Sequence, residues 1–421
     1  MKQNYCIILI ITAFSLLFTQ KAEAQFEISA QYRNRLEVRD GYQKIAIKDA
    51  SPAIFLGQRT RISFSYKTEK LKLKITPQDV RIWGDEKSVS STGTGYTPTL
   101  DLFEGYAELK IGASGWLSIG RQQLKYDNER FLSARNWNNA GLAYDVAVYK
   151  FENEKLKFHV GSSWNTLSEA NSENLYPTDH YKTLNFLWLN YTINEKMNFS
   201  LLHIANGVTE TDTTNNLNFR QTTGFYSTYK SNSMYMNAEA FFQYGKNKIG
   251  TDVSAYLLAL EAGYNNEKIS VGVGINYLSG NSKVGEEQTT DHLFDILYGA
   301  RHKFYGYADY FRTFSTHTKQ GGLVDAFFNL TFNPSEKLNI SNTTHYFQLA
   351  EKNSTTPEEK NLGLENDFVV KYKFNQWGAF ELGYMFFSPT DGMLELQNVS
   401  DEKFSQFLYL QLTLTPTLLK Q

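Results

Sequence analysis

Apolar and polar residues alternate with a period of two along most of the chain between residues 26 and 415. Phe26, Ile28, Ala30, Tyr32, Leu36 and Val38 share one parity; Glu27, Ser29, Gln31, Arg33, Arg35, Glu37 and Arg39 share the other. Ile54, Leu56, Ile62, Phe64 and Tyr66 likewise oppose Gly57, Arg59, Arg61, Ser63 and Ser65. Ile269, Val271, Val273, Ile275 and Tyr277 oppose Ser270, Gly272, Gly274 and Asn276. Successive side chains of a strand point to opposite faces, so each stretch has one large apolar face and one small or charged face. Strand after strand of this kind is the pattern of a transmembrane antiparallel β-barrel, with lipid outside and a polar lumen inside.

The connections support this reading. Thr68-Glu69-Lys70-Leu71, Asn153-Glu154-Lys155-Leu156, Asn194-Glu195-Lys196-Met197, Asn266-Glu267-Lys268-Ile269 and Ser335-Glu336-Lys337-Leu338 repeat one tight turn, and residues 112–115, 231–233 and 375–376 occupy equivalent places. Longer polar segments such as 84–99, 125–138, 164–181, 278–320 and 388–402 alternate with them. Short turns on one rim and long loops on the other predict about 18 strands, short periplasmic turns and long extracellular loops. The even count puts both termini at the short-turn rim. Strands are expected at 70–82, 115–124 and 139–151, among others. Pro77 breaks the parity of the third strand, which predicts a β-bulge that turns Asp79 and Arg81 into the lumen. The longest loop, which includes 301–314, is expected to fold inward because it carries Phe304, Tyr305, Tyr307, Tyr310 and Phe311.

Composition narrows the class. The 421 residues include 27 Tyr and 30 Phe but only 8 Pro. Such aromatic content argues against disorder, and nothing approaches the apolar runs of a helical membrane protein. Residues 1–24 read as a cleaved signal peptide: Lys2, an apolar stretch from Cys6 to Phe18, then Ala22-Glu23-Ala24. Residues 25–421 then form the barrel, with no shift in composition to mark a second domain. The single cysteine is Cys6, so the exported chain has no disulfide and no Cys metal site. The location implied is the outer membrane of a Gram-negative cell, with lipid around the wall.

Charge is nearly balanced, 42 basic against 44 acidic residues, and no basic stripe suggests nucleic acid. Nine of the 12 arginines, however, lie between Arg33 and Arg135. Parity aims Arg33, Arg35, Arg39, Arg59 and Arg61 inward, with Arg81 after the bulge. Glu37, Asp79, Glu104, Glu108 and Asp145 are expected to face the same space. Two readings stay open: guanidinium groups lining a path for anionic solutes, or an arginine–carboxylate network stiffening the wall. The seven His show no zinc spacing, and no cofactor is indicated. An outer-membrane hydrolase of barrel form is the alternative from another class, and a general porin or uptake channel the alternative within transport.

Five segments carry a family resemblance: residues 32–39 (Tyr-Arg-Asn-Arg-Leu-Glu-Val-Arg), Gln58-Arg59-Thr60-Arg61, Gln78-Asp79-Val80-Arg81-Ile82-Trp83-Gly84, Gly120-Arg121-Gln122-Gln123-Leu124 and Tyr144-Asp145. In order and spacing over about residues 26–150, the chain resembles the alginate export family of outer-membrane barrels, in the form seen in Bacteroidetes. The resemblance implies an 18-stranded monomeric barrel, without enzymatic activity, whose pore conducts an anionic polysaccharide. By position it implies Arg33, Arg35, Arg59, Arg61, Arg81 and Arg121 as pore arginines.

Overall fold

The computed structural model describes residues 24–85, 99–169, 171–172 and 175–421. The expected signal peptide lies outside these except for Ala24, as do residues 86–98 of the second loop. One sheet contains β1 (Gln25–Asp40), β2 (Ala53–Lys67), β3 (Leu71–Ile82), β4 (Thr99–Ile111), β5 (Gly115–Gln122), β6 (Tyr144–Glu152) and β7 (Leu156–Trp164). It continues with β8 (Thr183–Asn194), β9 (Met197–Thr209), β10 (Leu217–Lys230), β11 (Met234–Lys246), β12 (Asp252–Asn265), β13 (Ile269–Leu278) and β14 (Thr290–Asp291). It ends with β15 (Leu323–Ser335), β16 (Leu338–Gln348), β17 (Asn361–Asn375), β18 (Gly378–Pro389), β19 (Ser405–Leu414) and β20 (Thr417–Lys420).

Two of these are accessory. β14 adds two residues beside β12, and β20 resumes after Pro416 to pair with Glu27–Ser29 of β1. The other eighteen are the wall, each antiparallel to its neighbours. β1 pairs with β2 along one side and with β19 along the other, from Tyr32 opposite Leu414 to Asp40 opposite Gln406. The sheet closes on itself, so every wall strand has two partners and no backbone edge meets lipid.

The repeated turns fold for a local reason. The side chain of the first residue caps its own turn: Asn153 Oδ1 accepts from Lys155 N (3.0 Å) and Leu156 N (2.8 Å). Asn266 Oδ1 does the same for Lys268 and Ile269, and Thr68 Oγ1 for Lys70 and Leu71. Asn, Ser and Thr are turn formers because their short polar side chains reach these amides. Outward positions such as Ile54, Ile119 and Val273 are 67%, 51% and 60% exposed, while Arg59 and Glu37 on the inner face are 0% and 1% exposed.

The interior is not open. Residues 123–143 and 279–322 fold into the barrel and fill it with an apolar core that includes Leu124, Phe131, Leu132, Phe294, Ile296, Tyr310 and Phe311. Two strand expectations give way here. β5 stops at Gln122 because Leu124 packs in that core, and β6 begins at Tyr144 because residues 139–143 belong to the plug. Phe186, Trp188 and Phe241 point inward against the plug.

The third strand also differs. Alternation runs unbroken through Pro77, with Phe64 opposite Ile75 and Arg61 opposite Gln78. The extra residue lies on β4 instead, where Pro77 faces Leu102 and Thr76 faces Glu104 with Phe103 between. Proline brings no N–H to the ladder, and pairing opens at that point. Asp79 and Arg81 therefore stay on the outward parity, opposite Thr60 and Gln58, and pair with each other at 2.7 Å. Arg121 and Asp145 are turned outward as well. They face each other across β5 and β6 and pair at 2.8 and 3.0 Å, because Tyr144 and Val146 take the inward positions against the plug.

Candidate functional site: the loop-filled lumen

The two inward segments form one body. Leu132 bridges Tyr298, Ser133 Oγ donates to Tyr298 O (2.8 Å), and Arg135 Nη2 donates to Leu297 O (2.9 Å). Ala300 N returns a bond to Glu129 O (3.0 Å). Toward β6–β13 the plug packs on apolar groups, with the Phe131 ring 4.4 Å from that of Phe241. Arg130 pins this side. It donates to Glu239 Oε1 (3.0 Å), Asn276 Oδ1 (2.9 Å) and the Tyr305 hydroxyl (2.9 Å), and lies 3.8 Å over the Phe304 ring. Burial works against its charge, but Glu239 and Tyr305 outweigh that and hold the guanidinium above its ordinary pKa.

Toward β1 and β2 the contact is polar, and here the inward arginines act. Arg33 donates to Asn136 O (2.5 Å), Trp137 O (3.2 Å), Asn138 O (3.1 Å) and Asn139 Oδ1 (2.8 Å). Arg59 reaches Asn136 Oδ1 (2.8 Å) and Asn139 O (3.3 Å). Arg61 donates to Ala140 O (3.1 Å) and Gln78 Oε1 (2.6 Å), and stacks 3.3 Å above Phe103. Arg35 donates to Trp137 O (2.9 Å) and Glu37 (2.8 Å) while covering the Trp137 ring at 3.7 Å. Arg39 pairs with Glu37 at 2.6 Å. Two further carboxylates of this wall are paired to lysines: Glu104 to Lys74 (2.7 Å), and Glu108 to Lys72 (2.7 Å) and Lys150 (2.6 Å). Four arginines of one wall thus converge on the carbonyls of residues 136–140, an arrangement that neither sequence reading contained.

A second clamp was not foreseen. Glu365 Oε1 and Asp367 Oδ2, two residues apart on β17, accept the amides of Ala308 (2.7 Å) and Tyr307 (3.0 Å). The parity of Glu365 and Asp367 was readable from sequence; their partners were not. Nearby, Asp309 accepts from the Tyr42 hydroxyl and meets His302 Nδ1 at 3.2 Å. Burial would raise the Asp309 pKa, but His302, Tyr42 and Arg312 bring it below the usual carboxylate value. His302 is stacked on Trp137 with ring centroids 3.7 Å apart, which ties the two loop segments together on this side too.

The plug leaves space beside it. An inner cavity of about 520 Å³ extends from Arg301 and Arg312 to the short turn at Asn375–Gly378, along β1 and β17–β19. Its lining carries eight basic side chains, Arg33, Arg59, Arg135, Arg301, Lys303, Arg312, Lys371 and Lys373, against Glu129, Asp309 and Glu381. An outer cavity of about 690 Å³ lies among the long loops, lined by Arg220, Lys246, Lys248, Asp179, Asp291 and Asp295 among others. Among the described residues, no cluster of His, Cys, Asp and Glu is arranged to hold a metal ion.

Comparison with known proteins agrees with this architecture. The model of the family described as Alginate export matches residues 24–403. No curated protein matches the chain in sequence. Among solved structures, OccAB4 of Acinetobacter baumannii is similar with a TM-score of 0.65 at 13% identity, covering 95% of this chain and 99% of its own. OpdL of Pseudomonas aeruginosa gives 0.64 at 11% identity, covering 94% and 99%. OpdK of the same organism, determined with vanillate, gives 0.64 at 10% identity, covering 94% and 99%. At these identities the likeness is one of fold.

Proposed function

The chain belongs to the alginate export family of outer-membrane barrels, and on that premise we propose that it is a channel conducting small anionic solutes through its basic lumen. The observation that carries this is the inner cavity, where eight basic groups face three carboxylates between the plug and the short-turn rim. An excess of one charge in a narrow space walled by protein concentrates the opposite ion. Arg33 and Arg59 contribute to that excess while holding the plug; Arg35, Arg39 and Arg61 support it with Glu37, Glu104 and Glu108. Arg81, Arg121, Asp79 and Asp145 lie on the outer face and have no part in the path. We further propose that residues 1–24 are removed on export and that the barrel works as a monomer.

Cavity size bears on the cargo. About 520 Å³ accommodates a solute of roughly one or two sugar rings. A polysaccharide thread needs continuous space, so the plug would have to swing aside for it. Small anions are therefore favoured over an anionic polymer such as alginate. OpdK, with its vanillate, is a neighbour of the same fold whose structure holds a small carboxylate. Planar-bilayer recording tests the proposal. A salt gradient should give a reversal potential on the anion side, more so at low ionic strength where screening is weak. A monomeric uronate should carry current that longer uronate oligomers block. Cation preference, or no conductance by the folded protein, would refute it.

A further inference from the structure

We propose that the step that selects anions lies at Arg301 and Arg312, on the loop between β13 and β15, with the arginines of the barrel wall adding only to the surrounding field; this rests on the channel reading above. Among the described residues, these two alone line both the inner and the outer cavity. The two side chains therefore stand between the cavities, and on the proposed path a solute crossing from one to the other meets both. Each cavity is large enough for a hydrated ion, so side-chain charge has most effect at the crossing between them.

Donor occupancy separates loop from wall. Arg33 and Arg59 spend their terminal nitrogens on plug carbonyls and on the Asn136 and Asn139 side chains. Among the described residues, Arg301 makes only long contacts, Nη1 to Thr313 Oγ1 at 3.5 Å and Nη2 to Leu297 O at 3.4 Å. Arg312 lies 3.9 Å from Asp309 Oδ2, and that carboxylate is already engaged by Tyr42 and His302. A guanidinium with weakly held donors can offer them to a passing carboxylate or phosphate. Position is nonetheless fixed through the backbone. Arg301 opens the turn Arg301–Lys303, and the amide of Arg312 donates to His317 Nδ1 at 3.2 Å. Local charge adds to the effect. Arg135, whose pKa is pushed down to about 10 by burial and then by Arg301 and Arg312 nearby, is a third cation on the inner-cavity side.

The test measures the anion-to-cation permeability ratio of the full-length channel in bilayers. Arg301→Gln with Arg312→Gln should lower the ratio by about ten-fold for each charge removed, because a unit charge roughly 6 Å from the path in water-like surroundings favours an anion about three-fold and disfavours a cation by the same factor. Arg301→Lys with Arg312→Lys should keep it. Because the exported chain has no cysteine, Arg312→Cys supplies a check inside an already folded channel. A sulfonate-bearing thiol reagent should lower the ratio further, and a trimethylammonium-bearing one should restore it. A wild-type ratio in the Gln pair, or equal ratios after both reagents with labelling confirmed, would overturn the assignment while leaving an anion channel in place. A wild-type channel without anion preference would instead remove the channel reading and this assignment with it.

Discussion

Four glycines on the inner wall lie beneath aromatic rings of the strand next door. A Cβ on Gly161 would stand 2.1 Å from the Phe186 ring, one on Gly274 2.2 Å from Phe327, and one on Gly383 2.0 Å from Tyr409; on Gly224 it would meet Phe241 at 2.5 Å. Each glycine is the direct cross-strand partner of its aromatic. Small and large residues thus interleave to fill the lumen side of the sheet, a device that also covers the backbone that glycine leaves bare. The sequence displays the small face of residues 270–276 but not the ring above it, because the partner is fixed only by cross-strand register. Gly274→Val should therefore cost about 1–3 kcal/mol through overpacking against Phe327. Its neighbour Val273 is on the lipid face, so Val273→Arg should cost about 2–4 kcal/mol if it sits near the bilayer midplane. Urea titration of the folded barrel in vesicles measures both. Wild-type stability in either variant would mean that the inner and outer faces of β13 are exchanged.

At the scale of elements, the plug decides what the wall arginines are for. Parity correctly turned Arg33, Arg35, Arg59 and Arg61 inward, and the long polar segments were legible as loops. What they bind was not legible, since the acceptors are backbone carbonyls of residues 136–140, and every residue has a carbonyl. Only the path of the loop brings these particular ones to β1 and β2. The same limit applies at Pro77, where sequence shows that the ladder must break but not which strand takes the extra residue. Arg59→Gln with Arg61→Gln removes donors from Ala140 O, Asn139 O and Asn136 Oδ1 in a buried seam. Each acceptor left bare costs about 1–3 kcal/mol. That seam loosens while the Arg130–Glu239 side stays packed, so single-channel recordings should show larger and noisier conductance. Proteinase K should cut within 123–143 while the barrel stays heat-stable. Quiet currents and an intact loop in this double variant would show that the carbonyl clamp does not hold the plug.

At the scale of the whole molecule, the two rims are built by different means, and this sets the orientation. One rim is eight tight connections, several closed by the first residue's own side chain, as at Asn153 and Asn266. The other bears every long segment, including the two that turn back to fill the lumen and the polar loop between β9 and β10. Eighteen wall strands return the chain to its starting rim, so Gln25 of β1 and Leu419 of β20 lie beside the tight turns. A barrel inserted from the periplasm must carry its long loops across and can leave its short turns behind, so the tight rim belongs inside. Glu195 on a short turn and Asn215 on a long loop are both exposed. With residues 1–24 removed as proposed, each can carry the only thiol, because the one native cysteine is Cys6. A membrane-impermeant maleimide added to intact cells should label Asn215→Cys and leave Glu195→Cys untouched until the outer membrane is permeabilised. Labelling of Glu195→Cys on intact cells would invert the barrel, and with it the assignment of the inner cavity and its basic lining to the periplasmic half of the path.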